Sequence, residues 1–302
     1  MQVITILGHG AVGLSIGSLL LNSNCNDTKI HFYSLNKYEG SSPPFFIYSN
    51  NEQTSISADY FNDDELLSQT SIFIVCLKLY AIKNINKLFL QKVLPSAKFI
   101  LISNGLNNAD VLNNTLSKLF INGVLYISCK KTGNIITNYS IRPKLIFNSK
   151  EINIEHALSL SPTFLGLLKA AGFEINITSN FKWECWRKLI ITSSVNGVSI
   201  WFECNPKEIF NSPERLSILK SVLKENINVA KTQGVVFSNR QVNRIINDIL
   251  SMPGDCPPSM YLDFKNGKQT EINYLNRQIR DIARLNKIET PLNNLIIKKL
   301  NQ

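Results

Sequence analysis

At 302 residues, with 44% hydrophobic and 18% charged side chains, the chain holds core material for two domains and reads as globular. The excess of 32 Lys and Arg over 22 Asp and Glu gives a net charge of +10, but its longest clusters are only Lys130-Lys131 and Lys298-Lys299, so no nucleic-acid partner is expected. No apolar run of about 18 residues marks a membrane span, and the six cysteines and three scattered histidines show no metal-ligand spacing, so neither membrane nor metal is expected.

The chain opens on Val3-Ile4-Thr5-Ile6-Leu7, an apolar strand, which runs into Gly8-His9-Gly10-Ala11-Val12-Gly13 and then an apolar helix from Leu14 to Leu21. GxGxxG between a strand and a helix is a dinucleotide-binding fingerprint. Gly8 allows the tight turn, Gly10 lets the backbone approach a pyrophosphate, and Gly13 lets the helix pack close to the strand. The helix N-terminus offers unpaired N–H groups to the phosphates. A strand at the very start leaves no room for a leader, which predicts a cytoplasmic protein.

Further strand-like runs follow at Lys29–Ser34, Ser71–Leu77 and Lys98–Ser103, near Gly123–Cys129, Ile135–Tyr139 and Lys144–Asn148, and near Phe173–Ile177. Helices are expected over Tyr80–Lys92 and His156–Ala171. The alternation predicts an α/β Rossmann domain with a doubly wound, mostly parallel sheet. Its second strand ends Ser34-Leu35-Asn36-Lys37, with no acid until Glu39. Hydroxyl, amide and ammonium groups suit a 2′-phosphate, so NADP(H) is expected with Ser34 and Lys37 among its contacts; the other reading puts Lys37 on a solvated loop. Lys78 and Asn104-Gly105 each follow a strand at its carboxyl end, where Rossmann ligands bind. Either one alone is also ordinary turn chemistry.

From about Ser179 long helical patterns replace the strands: Trp183–Ile200, Ser212–Gln233, Asn239–Leu250, Glu271–Leu285 and Leu292–Leu300. The predicted division is residues 1–178, a cofactor-binding domain, and 179–302, an all-α substrate and catalytic domain, with the active site expected in the cleft between them. Within Trp183–Asn196, the residues Lys188, Thr192 and Asn196 are spaced i, i+4, i+8 and form one polar stripe on an apolar helix. Such a stripe faces water or finds partners in a polar cleft. Ser259, after Pro257-Pro258, is expected at a helix start, where a hydroxyl and free N–H groups make a carboxylate seat or a plain cap. Glu271 is expected to begin a later helix.

Together these motifs resemble the ketopantoate reductases (2-dehydropantoate 2-reductases) over essentially the whole chain. The resemblance rests on GxGxxG with Ala11-Val12 inside it, Leu77-Lys78, Asn104-Gly105, Trp186-Arg187-Lys188-Leu189 with Asn196, and Ser259-Met260 ahead of Thr270-Glu271-Ile272-Asn273-Tyr274. It implies a Rossmann domain followed by a helical domain of the 6-phosphogluconate dehydrogenase type, and NADPH-dependent reduction of 2-dehydropantoate to pantoate in the pantothenate and coenzyme A route. By that resemblance Lys188 is the proton donor, Asn196 holds the substrate's distal hydroxyl and Ser259 its carboxylate. Asn104 and Glu271 contact cofactor and substrate, and Lys78 lies on the cofactor side with Gly8, His9, Gly10, Ala11, Val12 and Gly13. Three departures stand out: Thr192 where the family often has a second asparagine, no arginine near the end of the second strand, and Asn205-Pro206-Lys207 after Cys204. The partner is then a small 2-oxo acid and the assembly a monomer or homodimer. The alternatives are a reductase of another branched 2-oxo acid and a non-catalytic NADPH-binding sensor.

Overall fold

Val3, Ile4, Ile6 and Leu7 are buried on both faces of the first strand, a pattern stable only with parallel neighbours and covered faces. The computed structural model, which describes residues 2–23, 27–35, 44–49, 52–57, 64–82, 85, 87–106, 120–152 and 162–300, makes that strand, β1 (Gln2–Leu7), an inner member of a seven-stranded sheet. β2 (Thr28–Tyr33) lies on one side of it. On the other side follow β5 (Thr70–Val75), β6 (Lys98–Leu101), β7 (Phe120–Tyr126), β10 (Lys144–Asn148) and β11 (Glu174–Thr178). Every pairing is parallel except that of β7 with β10. The strand order reverses at β1, and ligands of such sheets bind beyond the carboxyl ends at that point.

A second sheet was not foreseen. β3 (Phe45–Ser49) and β4 (Glu52–Ile56) pair antiparallel, and β3 runs parallel to β9 (Ile135–Asn138), which pairs with β8 (Cys129–Thr132). The run expected as one strand near Gly123–Cys129 is therefore divided: β7 ends at Tyr126, and Cys129 begins β8 in the other sheet. This small sheet packs on α1 (Ala11–Leu21), together with the core residues Phe45, Ile47, Ile56 and Ile136. Covered on both sides, α1 buries Leu14, Ile16 and Leu20 almost completely, each contributing about 1.5–3 kcal/mol.

The helix expected over Tyr80–Lys92 is two short ones among the described residues, α3 (Leu79–Ile82) and α4 (Lys87–Leu90), after a first short helix α2 (Asp64–Leu67). Asn84 and Asn86, weak helix formers, fall between α3 and α4 in sequence. Of the helix expected over His156–Ala171, the part from 156 to 161 lies outside the described residues; α6 (Pro162–Ala170) follows a short α5 (Ser149–Ile152).

By packing, the chain forms one unit from Met1–Ser103 and Asn107–Phe181, and another from Asn104–Leu106 and Lys182–Gln302. The second unit is built around α7 (Phe181–Phe202), whose residues from Leu189 to Ile200 are all buried except Thr192. Around it stand α8 (Pro206–Phe210), α9 (Pro213–Thr232), α10 (Asn239–Leu250), α11 (Ser259–Lys265), α12 (Asn276–Leu285) and α13 (Pro291–Leu300). The departure at Asn205-Pro206-Lys207 has a local reason: Asn205 and Glu208 form a capping box, and Pro206 occupies the first position of α8. Among the described residues, no helix is long and apolar enough to cross a membrane.

Candidate active site

The glycine loop is shaped by close approaches. Gly8 has φ +105°, and its N–H donates to the Tyr33 carbonyl at 3.0 Å. A Cβ at Gly8 would stand 3.1 Å from the Cys76 carbonyl oxygen, and one at Gly13 only 2.1 Å from the Gly8 carbonyl oxygen. Gly10 differs: it is exposed, it is the N-cap of α1 without a side-chain capping bond, and among the described residues none beyond its chain neighbours lies within 4 Å of where its Cβ would be. The first N–H groups of a helix have no partner within it, and the open position beside Gly10 lies at that end of α1. That cradle fits the diphosphate of a dinucleotide.

Ser34 is buried just beyond the carboxyl end of β2, and Lys78, half-buried, follows β5 on the same edge of the sheet. Lys37 lies outside the described residues. His9, between the two glycines, is half-buried, and its carbonyl accepts a 3.0 Å hydrogen bond from Lys131 Nζ. Burial, followed by the Lys131 charge, holds the His9 imidazole below the ordinary histidine range.

In the second unit α7 carries Lys188, which is half-buried. Burial pushes its ammonium down from the usual lysine range to about 8, against the opposing pull of the Glu271 carboxylate and then of Cys185. The residue as a whole keeps partial exposure. Glu271 is only 2% exposed, and its Oε2 accepts a 3.2 Å hydrogen bond from Asn104 Nδ2. Asn104 belongs to this unit through its own segment, since Leu106 exchanges two hydrogen bonds with the Gln278 side chain, at 3.0 and 3.2 Å. Glu271 does not begin a regular helix as expected. It precedes a 3₁₀ turn (Ile272–Tyr274), the backbone breaks at Leu275, and α12 starts at Asn276. The buried carboxylate is placed for side-chain partners rather than for a helix dipole.

The stripe of Lys188, Thr192 and Asn196 is not a water-facing one. Asn196 is 4% exposed; its Nδ2 donates to the Thr192 carbonyl at 2.8 Å and its Oδ1 accepts from the Met260 N–H at 2.9 Å. That second bond occupies one of the N–H groups at the start of α11. Pro258 caps that helix, and Ser259 is an exposed residue of its first turn. The structure thus gathers Lys188, Glu271 and Asn104, and separately Thr192, Asn196 and the start of α11.

Behind the stripe lies a buried amide chain that the sequence did not predict. Asn226 Nδ2 donates to Ser193 and Ser194 Oγ, both at 3.0 Å, and its Oδ1 accepts from Asn293 Nδ2 at 2.9 Å. Asn293 Oδ1 in turn accepts from Asn276 Nδ2 at 2.9 Å, and Asn276 also donates to the Ser193 carbonyl at 3.2 Å. The Glu225 carboxylate takes the N–H groups of Leu292 and Asn293, at 2.8 and 3.1 Å, which caps α13. Asn226 lies between Val222-Leu223 and Val229-Ala230, a faint signal of a buried amide, whereas Asn276 and Asn293 stand beside polar residues that hide theirs.

The family described as ketopantoate reductase PanE/ApbA matches residues 4–147, and its C-terminal part, ketopantoate reductase PanE/ApbA C terminal, matches residues 180–302. Both halves of one family, in order, fall on this chain. It belongs to the ketopantoate reductase family. A 2-dehydropantoate 2-reductase of Salmonella typhimurium is 20% identical over 305 residues, covering 99% of this chain and 94% of the relative. One of Pyrococcus horikoshii is 32% identical over 126 residues, 42% of each chain. The crystal structure of 2-dehydropantoate 2-reductase from Geobacter metallireducens superposes with a TM-score of 0.81 at 20% identity, over 99% of both chains. The ketopantoate reductase family is one of oxidoreductases, and the Rossmann domain followed by a helical domain is the fold this member shares with that structure.

Proposed function

We propose that the chain reduces 2-dehydropantoate to pantoate with NADPH. The observation that carries this reading is Lys188: a lysine half-buried on a helix largely closed to water, its ammonium brought to about 8, with a buried carboxylate, Glu271, acting to keep it charged. A reduced nicotinamide bound by the first domain, residues 1–178, supplies hydride to C2 of a 2-oxo acid. Lys188 donates the proton from Nζ to the carbonyl oxygen, and its charge stabilises the alkoxide as it develops. The amine left behind regains its proton from solvent. Glu271 opposes the loss of that charge on burial, and Asn104 fixes the Glu271 carboxylate.

The remaining assignments follow from residue chemistry. Gly8, Gly10, Ala11, Val12 and Gly13 take the diphosphate, Ser34 and Lys37 are assigned by their chemistry to the adenosine ribose and its 2′-phosphate, and His9 and Lys78 complete the cofactor side. Thr192, the second Nδ2 hydrogen of Asn196, and Ser259 bind the polar groups of the acid. A second reading, a reductase of a different branched 2-oxo acid, is favoured by Asn196, whose amide is already engaged by the Thr192 carbonyl and the Met260 N–H.

The test is loss of NADPH absorbance with 2-dehydropantoate, run beside 2-oxoisovalerate, which lacks the distal hydroxyl, and with NADH in parallel. A large preference for 2-dehydropantoate and NADPH supports the first reading. Equal turnover of both acids supports the second. Nucleotide binding without turnover of either acid removes the reductase reading.

A further inference from the structure

Lys131 lies in the Lys130-Lys131 pair, which the sequence offered only as a local charge cluster. Its place is set by the small sheet. β8 pairs with β9 through Lys131↔Ile136, and β9 pairs with β3 through Ile47↔Ile136. The hairpin between β8 and β9 turns at Gly133, with φ +59°. The Lys131 ammonium stands over the Phe45 ring, 4.5 Å from its centroid, and donates to the His9 carbonyl at 3.0 Å. A strand register, an aromatic face and a hydrogen bond thus fix one amine beside the glycine loop.

The bond falls on a consequential peptide. His9 C=O and Gly10 N–H belong to the same planar trans unit, so they point in opposite directions and cannot turn independently. Holding the carbonyl therefore sets the direction of the Gly10 N–H and the entry of the chain into α1, whose N-cap has no side-chain capping bond. Among the described residues, none beyond its chain neighbours comes within 4 Å of where a Gly10 Cβ would stand. A loop of glycines otherwise loses backbone entropy each time it is ordered for a ligand.

We propose that Lys131 is a positioning residue of the dinucleotide site: by holding the His9–Gly10 peptide it pre-orders the glycine loop for the diphosphate that NADPH and NADH share. The inference rests on the nucleotide-binding part of the proposed function and assigns the four-stranded sheet a role in it. The field of the same ammonium, which depresses the His9 imidazole, also favours an anion at the loop.

The experiment compares wild type with Lys131→Met and Lys131→Arg, using NADPH and NADH as probes, by nucleotide fluorescence, cofactor KM and kcat, and apo Tm. Lys131→Met is expected to weaken both nucleotides by about tenfold, the scale of a charge-assisted hydrogen bond, with the change in cofactor KM rather than kcat. Lys131→Arg, which keeps donor and charge, recovers most of the affinity. If Lys131→Met loses its fold, Lys131→Gln, with a donor but no charge, takes its place. Unchanged affinity in a folded variant overturns the inference while leaving the function standing. Loss of NADPH affinity alone overturns it too, since the residue then reads the 2′-phosphate. A wild-type protein that binds neither nucleotide overturns the nucleotide-binding reading itself, a result distinguishable from both.

Discussion

The glycine loop and the stripe on α7 are built in opposite ways. Around Gly8–Gly13 the chemistry is offered by backbone, and side chains matter by their absence: at Gly13 a single methyl would meet a carbonyl oxygen at 2.1 Å. Around Lys188 the chemistry is offered by side chains, and the backbone serves as a rigid rod. The loop takes its shape from its own glycines and nearby strand ends, with Lys131 holding one peptide from outside, whereas Lys188 depends on Glu271, and Asn196 on Met260, for the side-chain partners themselves. A backbone site tolerates no added atoms. A side-chain site tolerates no lost partner.

Breaking the second region at its centre gives the largest expected effect. On the proposed reading, Lys188→Met removes the proton donor and lowers kcat for the 2-oxo acid by about 10²–10⁴-fold, while NADPH affinity measured by fluorescence stays within about threefold of wild type, since the donor is not part of the diphosphate cradle. Turnover within a few-fold of wild type would assign the proton to another group.

The first region is sharpened by two glycines with different surroundings. Gly13→Ala forces the Gly8 carbonyl to move, an overpacking expected to cost about 1–3 kcal/mol in stability and to abolish measurable nucleotide binding. Gly10→Ala adds its methyl to open space, so Tm should hold while nucleotide affinity falls about tenfold or more. A Gly10→Ala protein that binds NADPH normally would show that nothing approaches the loop there.

How legible the two regions are follows from the same contrast. GxGxxG was readable because a backbone that must approach other atoms leaves glycine as its trace. The stripe of Lys188, Thr192 and Asn196 was readable as periodicity, but its environment was not, because the partners come from α11, from the turn after Thr270 and from Asn104. Glu271 was misplaced at a helix start for that reason. The second sheet leaves a trace in the sequence. The α1 sequence is largely apolar, and a helix of that kind needs cover on both faces; Phe45-Phe46-Ile47-Tyr48-Ser49 and Glu52–Ile56, flanking Asn50-Asn51, are a hairpin that provides part of it, together with β8 and β9. The expected division at 178 and 179 was drawn from the change of texture, which shows nothing of Asn104–Leu106 packing with the helices.

The buried amide chain tests whether the second region depends on support as well as on its reacting group. Asn226→Leu keeps the approximate volume but leaves Ser193, Ser194 and Asn293 without that partner. Stranding buried polar groups costs about 1–3 kcal/mol each, so urea unfolding of the variant should show a loss of about 2–4 kcal/mol. Nucleotide affinity should not change. A neutral result would mean the hydroxyls find other partners in place.

The smallest expected effect is a displacement along the pH axis. Lys188 must be protonated to donate, so the rate of reduction should fall as pH rises through about 8, and the reverse oxidation should gain over the same range. Glu271 acts to raise that value and burial to lower it. Replacing Glu271 by Gln keeps a polar group for Asn104 but removes the charge, so burial is opposed less and the descending limb should move to lower pH. Near pH 7 a larger share of Lys188 is then neutral, and the variant loses rate there while recovering it toward acid. A capping role for Glu271 predicts something else, a lower rate at every pH with the limb in place. The direction of the limb in kcat, measured with NADPH saturating, therefore separates a carboxylate that holds the charge of Lys188 from one that only shapes the turn before α12.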